Sequence, residues 1–233
     1  MDKKLQELNE AILKTPDDIN LYLERANILF DLYKYSECVQ DCEHVITLDG
    51  NNVTAYGRLG YAYYRLSEYD KSFSAVEKAL SISPDYALAY VVRGNLYADH
   101  LKDYEKALAD YNKAIELNPV YAIAYNNRGN LYADNLKDYE KALADYNKAI
   151  EIDPADADAY NNRGVLYADN LKDYEKALED LNKAIELDPA NAAAYNNRGN
   201  LYKNHLKDYE KALADYNKAI GQHFGFLRIF LSM

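Results

Sequence analysis

Several things are scarce in this chain of 233 residues. It has no tryptophan, two cysteines, two methionines and five prolines. No apolar run approaches the roughly 20 residues that a helix needs to cross a bilayer. The opening stretch, MDKKLQELNEAILK, is charged and amphipathic and lacks the unbroken apolar core of a secretory leader. These absences predict a cytoplasmic protein with no membrane contact. Cys38 and Cys42 lie four residues apart on one face of a helical pattern. A disulfide there would strain the helix, which argues against a bridge-built secreted scaffold. Positive charge is short as well: 27 Lys and Arg against 38 Asp and Glu leave a formal net charge of −11. That balance argues against nucleic acid and anionic membranes as partners and favours a neutral or basic one.

Tyrosine, by contrast, abounds, with 25 copies against five phenylalanines, and its placement is periodic. Tyr22, Tyr56, Tyr90, Tyr125, Tyr160 and Tyr195 are separated by 34, 34, 35, 35 and 35 residues. Pro84, Pro119, Pro154 and Pro189 step by 35, and Gly60, Gly94, Gly129, Gly164 and Gly199 keep the same phase. Segments 122–156 and 157–191 agree at 29 of 35 positions, the mark of recent internal duplication. A fixed period of this size means stacked supersecondary units, each burying its apolar face against the next.

Each unit reads as two helices. In residues 122–156, Tyr125, Gly129 and Tyr132 recur at spacings of four and three, a helical stripe, which predicts a first helix from Ala122 to Asp134. Leu136-Lys137-Asp138 is the turn, and Asp138 is a suitable N-cap. A second helix is expected from Tyr139 to Ile152, with Tyr139, Ala142, Leu143, Tyr146, Ala149 and Ile150 on its apolar face. Asp153-Pro154 ends it, because the residue before proline avoids the helical region.

The succession Tyr–x2–Arg–Gly–x2–Tyr, then Ala, Tyr, Ala and Pro, resembles the tetratricopeptide repeat over residues 19–220. The resemblance implies an all-α fold: a right-handed α-solenoid, or superhelix, of stacked antiparallel helix pairs. Six repeats are assigned, at 19–52, 53–86, 87–121, 122–156, 157–191 and 192–220. Residues 1–18 form an N-terminal capping helix, with Leu8, Ala11 and Ile12 in phase. Three departures from the family pattern stand out. Repeats three to six carry an extra turn residue (Leu101, Leu136, Leu171, Leu206). Arg93, Arg128, Arg163 and Arg198 replace a usual leucine. Tyrosine replaces the usual tryptophan.

Little supports catalysis, and the chain is read as a non-enzyme without cofactor or metal. His100 and His205 hold the turn position occupied by Asn135 and Asn170 in sibling repeats. Cys38, Cys42 and His44 match no zinc spacing, and the glycines are spread one per repeat, not gathered into a phosphate loop. The out-of-family arginines lie on a stripe read as largely buried, and a buried arginine needs a partner. Asp110, Asp145, Asp180 and Asp215 recur with them, which predicts an Arg–Asp ladder between helices.

In the resembled family the first helix of each pair lines a concave groove. Carrying the inward positions onto this chain gives Arg58, Tyr61, Tyr64 and Arg65 in repeat two and Asn95 in repeat three. Repeat four gives Asn126, Asn127, Asn130 and Asp134, repeat five Asn161 and Asn162, and repeat six Asn196, Asn197 and Asn200. An amide both donates and accepts, so a row of asparagines is suited to clasp the backbone of an extended peptide. The row looks like the asparagine ladder of O-GlcNAc transferases. The family's best-known clamp for chaperone tails needs basic residues where this chain has Leu23, Leu88 and Val92, which argues against that role. The expected function is therefore a protein-interaction scaffold that binds a protein or peptide in its groove. The apolar tail 221–233, with Phe224, Phe226 and Phe230, reads as an irregular segment. It is a cap over the array's end, a self-association segment forming homo-oligomers, or the product of a shifted reading frame.

Overall fold

The computed structural model describes residues 2–230, with side chains from Lys3 to Gly221. The chain falls into two compact units, Met1–Pro119 and Val120–Met233. The division lies in the connection between the third and fourth helix pairs. Among the described residues every regular element is a helix.

The first unit holds α1 (Asp2–Lys14), α2 (Ile19–Asp31), α3 (Tyr35–Leu48), α4 (Val53–Arg65), α5 (Tyr69–Ile82), α6 (Ala87–Asn95) and α7 (Tyr104–Leu117). The second holds α8 (Ala122–Asn130), α9 (Tyr139–Ile152), α10 (Ala157–Leu166), α11 (Tyr174–Leu187), α12 (Ala192–Leu201) and α13 (Tyr209–Phe230). From α2 on, consecutive helices pair, and within each unit each pair packs on the next. In the first unit α1 precedes the pairs, with Leu8 and Ile12 buried.

Local chemistry explains the helix limits. Asp103, Asp138, Asp173 and Asp208 each accept a hydrogen bond from the backbone N–H three residues on, capping α7, α9, α11 and α13. Asn52, Asp156 and Asn191 cap α4, α10 and α12 in the same way. Before each second helix one residue takes a left-handed conformation: Tyr33, Ser67, Lys102, Lys137, Lys172 and Lys207, with φ between 55° and 61°.

The extra turn residue of repeats three to six has a definite place. The first helices of these repeats end in a wider π-type turn, at Leu96–Leu101, Leu131–Leu136, Tyr167–Leu171 and Tyr202–Leu206. The predicted first helix of residues 122–156 thus changes its winding after Asn130, whereas the predicted second helix matches α9. Widening the last turn absorbs the added residue and leaves the left-handed lysine and the capping aspartate in register. The exposed Leu101, Leu136, Leu171 and Leu206 end these wider turns.

The core is built from small and large residues in alternation. Ala107, Ala142 and Ala177 are fully buried where helices cross. Leu96, Leu131, Leu166 and Leu201 are 2% exposed or less, each contributing about 1.5–3 kcal/mol of burial. Gly129 is needed at a close approach, since a Cβ there would lie 2.7 Å from Cε1 of Tyr146. The backbone of α13 runs past Gly221 to Phe230, beyond the break in the repeat pattern. The side chains of Phe224, Phe226 and Phe230, and residues 231–233, lie outside the described part.

Candidate functional site

The arginines that replace the family's leucine form the predicted ladder. Arg93, Arg128, Arg163 and Arg198 each make a two-point contact with the aspartate 17 residues on, at 2.7–2.8 Å. The geometry is the parallel fork in which guanidinium and carboxylate match best. The aspartates are buried, and each guanidinium also lies 5.3–5.6 Å from the ring centre of a tyrosine three residues earlier. In the second unit Arg163 and Arg198 reach back a repeat, to Asn147 and Asn182. A fifth pair was not anticipated: Arg25 forks onto Asp41 and reaches Asn9 of α1. Its signal was present, an arginine three residues after Tyr22, with the partner at 16 instead of 17 because the turn is one residue shorter. Hydrogen bonding to the carboxylate holds each of these guanidiniums above its ordinary pKa. These arginines therefore tie neighbouring helices together within each unit.

The expected asparagine row divides by burial. Asn126 and Asn161 are buried, and their side-chain oxygens accept hydrogen bonds from Asn162 and Asn197 of the following repeat, at 3.1 and 2.9 Å. Asn161 in turn donates to Asn162 at 3.2 Å. Asn127, Asn162 and Asn197 are half-buried, while Asn196 is exposed. The next inward position serves a different contact. Asn95, Asn130 and Asn200 accept from the hydroxyls of Tyr111, Tyr146 and Tyr216, at 2.7–2.8 Å. Repeat five replaces both members of this pair with apolar residues, Val165 and Leu181. Asp134 is exposed.

The expected residues of repeat two come together differently. Arg58 lies over the ring of Phe30 at 5.0 Å, and Arg65 over Tyr35 at 4.8 Å. Tyr61 packs 4.6 Å from Phe30 and 6.2 Å from Tyr64. The Tyr64 hydroxyl donates to Asp99, and burial with this bond pushes its pKa up. Burial likewise raises the Tyr35 hydroxyl to about 12. Phe30 and Tyr35 were not predicted for this cluster. Phe30 stands 34 residues before Tyr64, at the same inward position, and that offset was the available signal.

Comparison with known proteins fits this geometry. A family model described as TPR repeat matches residues 101–135, 136–170 and 171–205. A second, described as tetratricopeptide repeat, matches 53–86 and 192–222. Together they span well over half of the chain. The chain belongs to the tetratricopeptide repeat family. Among curated proteins it is similar to small glutamine-rich tetratricopeptide repeat-containing protein 2 of Saccharomyces cerevisiae, 35% identical over 83 residues, 36% of this chain and 24% of that protein. Hsp70-Hsp90 organizing protein 3 of Arabidopsis thaliana is 32% identical over 76 residues, 33% of this chain and 14% of that protein. The matches thus span a quarter or less of these relatives' own length. Among solved structures, one chain of the APC/C hetero-tetramer Cut9-Hcn1 has a TM-score of 0.77 at 19% identity, covering 94% of this chain and 43% of that one. A tetratricopeptide repeat protein from Parabacteroides merdae has a TM-score of 0.67 at 23% identity, covering 94% and 85%. These likenesses show the fold, an all-α solenoid of stacked antiparallel helix pairs. Of Leu23, Leu88 and Val92, the residues expected where a chaperone-tail clamp would need basic ones, Val92 is fully buried.

Proposed function

We propose that this tetratricopeptide repeat protein is a non-catalytic scaffold that holds an extended peptide segment of a partner protein along the inward rows of its first helices. The observation that carries the reading is the regular amide row of the second unit. Asn162 and Asn197 are held in place by hydrogen bonds to the preceding repeat, so their orientation is fixed before any partner arrives. A fixed amide keeps part of its donor and acceptor capacity for a peptide backbone, and pre-organisation lowers the ordering cost of binding. Asn127, Asn130, Asn196 and Asn200 extend the row at one-repeat spacing. A cytoplasmic setting agrees with the two buried, unpaired thiols of Cys38 and Cys42. Selection from a random peptide library, repeated against a variant with Asn127, Asn162 and Asn197 all changed to Ala, tests the proposal. Binders retained by this variant at equal affinity refute the amide row; binders lost from it and weakened in Asn196→Ala as well support it.

A second reading is favoured by one observation. On α13, Tyr209, Leu213 and Ile220 are 64%, 62% and 53% exposed, whereas their counterparts Tyr174, Leu178 and Ile185 are half-buried. An exposed apolar face of this kind joins copies of the chain readily. Sedimentation velocity on Leu213→Lys/Ile220→Lys decides: a species larger than monomer that reverts to monomer supports self-association, and a monomer in both forms excludes it.

A further inference from the structure

Seven arginines have described side chains. Five of them, Arg25, Arg93, Arg128, Arg163 and Arg198, are paired with a buried aspartate. The other two are Arg58 and Arg65, and among the described residues neither has a carboxylate within 4.0 Å. Both lie on α4, on one stripe, with Tyr61 between them. Each guanidinium lies over a ring, that of Arg58 over Phe30 and that of Arg65 over Tyr35. Two buried polar atoms in this cluster, Arg58 Nε and the Tyr35 hydroxyl, have no hydrogen-bond partner. Unsatisfied buried donors are rare in native folds and costly, and in a protein with 38 acidic side chains two arginines of one helix without a carboxylate partner are not for want of carboxylates.

The other repeats sharpen the contrast. At the position of Arg58, repeats four to six have Asn127, Asn162 and Asn197. At the position of Arg65, repeats three to five have the acidic Asp99, Asp134 and Asp169. Repeat two therefore replaces an amide with a cation at one inward position and reverses the charge at another. We infer that this stretch of the first unit is a subsite for an acidic peptide segment, in which Arg58 and Arg65 engage two Asp or Glu side chains and the half-buried rings of Tyr35 and Tyr61 receive an apolar residue between them. The inference rests on the groove reading above. Seven residues of helix separate the two arginines by about 10 Å, and an extended peptide rises about 3.3 Å per residue, so the acidic residues stand two to four positions apart. The net charge of −11 does not cancel this attraction, because exposed charges beyond about 8 Å are largely screened at physiological salt.

Fluorescence anisotropy with three labelled Gly/Ser-rich peptides tests the inference. One carries Glu-x-Phe-x-Glu; the others carry Gln or Lys in place of Glu. The Glu peptide is expected to bind at least about ten-fold more tightly than the Gln peptide, with the preference shrinking as salt rises and vanishing in Arg58→Gln/Arg65→Gln. Because no carboxylate loses its partner, that variant keeps its helical circular dichroism. The exposed Arg65→Glu is a second variant, expected to turn the preference against the Glu peptide. No preference for Glu in the unaltered protein, or a preference that survives the double variant, overturns the subsite. If the Gln peptide still binds, and does so through the Asn127, Asn162 and Asn197 row, the groove reading stands while the acidic subsite falls. If none of the three peptides binds, both fall.

Discussion

The Arg128–Asp145 fork has its own control in the same chain. Repeat two carries Leu59 and Ala75 at the corresponding positions, and both are buried, at 7% and 5% exposure. One repeat thus fills this site with an apolar pair, while five others use an ion pair. The two single substitutions should therefore be costly and the double one nearly harmless. In the fork, Nε and Nη2 of Arg128 lie 2.8 and 2.7 Å from the carboxylate oxygens, with side-chain exposures of 18% for Arg128 and 8% for Asp145. Arg128→Leu strands a buried carboxylate, at a cost of about 3–5 kcal/mol. Asp145→Ala takes the carboxylate from a guanidinium that keeps some solvent and the faces of Tyr125 and Tyr132, 5.6 and 6.0 Å away; a cost of about 2–3 kcal/mol follows.

The double variant Arg128→Leu/Asp145→Ala recreates the repeat-two pair and should lie within about 1 kcal/mol of the parent. The coupling between the sites is then about 4–8 kcal/mol, far above the few tenths expected of independent positions. Urea denaturation followed by circular dichroism gives the four stabilities. A repeat array unfolds as nearest-neighbour units, so hydrogen exchange of α8 and α9 should localise the loss in the single variants to those helices. A double variant as unstable as the worse single one would refute the reasoning, because the pair would then owe its value to something other than mutual neutralisation.

Three further outcomes are expected. Gly129→Ala places a Cβ 2.7 Å from Tyr146 Cε1, and should destabilise by about 1–3 kcal/mol after a helix-propensity gain of about 1 is allowed for; thermal melting checks it. Lys137→Gly relieves a non-glycine residue at φ 56° and should raise stability by about 0.5–1 kcal/mol in urea denaturation, net of added unfolded-state freedom. Asp156 caps α10 from a half-buried position, and desolvation there pushes its pKa up, so its charged form costs the fold stability at neutral pH. Asp156→Asn keeps the cap, as Asn52 and Asn191 do, and should raise the melting temperature above the folded pKa of Asp156. The gain should fade as pH drops from there to the ordinary carboxylate range, where the parent is protonated in both states; a gain that persists at pH 3 would contradict the assignment.

The fold was legible because its determinants are short-range and repeated. Tyr125, Gly129 and Tyr132 mark the first helix, and Asp138 with Asp153-Pro154 brackets the second without reference to distant residues. The Arg–Asp forks were legible because both partners recur in every late repeat. What stayed hidden is geometry that periodicity does not encode. Asn126 and Asn127 are adjacent and identical in type, yet Asn126 accepts from Asn162 of the next repeat; a small change in helix rotation decides which of two neighbours is sealed. The Asn130–Tyr146 bond was visible only through its exception, the joint change to Val165 and Leu181. The widened turns at Leu96–Leu101 and its successors were hidden because an added residue can lengthen a loop or a helical turn equally well.

The double use of asparagine decides how the groove should be probed. Asn197→Ala removes a peptide-facing amide, but it also removes the donor that satisfies the buried Asn161 oxygen, at a cost of about 1–3 kcal/mol. Loss of binding in such a variant mixes two causes. Asn196 separates them. It stands at the position of Asn126 and Asn161, yet it is exposed and makes no side-chain hydrogen bond among the described residues. Asn196→Ala should leave the melting temperature unchanged within error, since exposed positions of this kind shift stability by no more than about 0.5 kcal/mol. If a peptide runs along the row to repeat six, the same variant weakens its binding by about five- to tenfold, the worth of about 1 kcal/mol of hydrogen bonding. Titration calorimetry with a selected peptide reads this directly. Unchanged affinity alongside unchanged stability would end the bound segment short of repeat six, whereas a drop in stability would show that Asn196 has a structural partner.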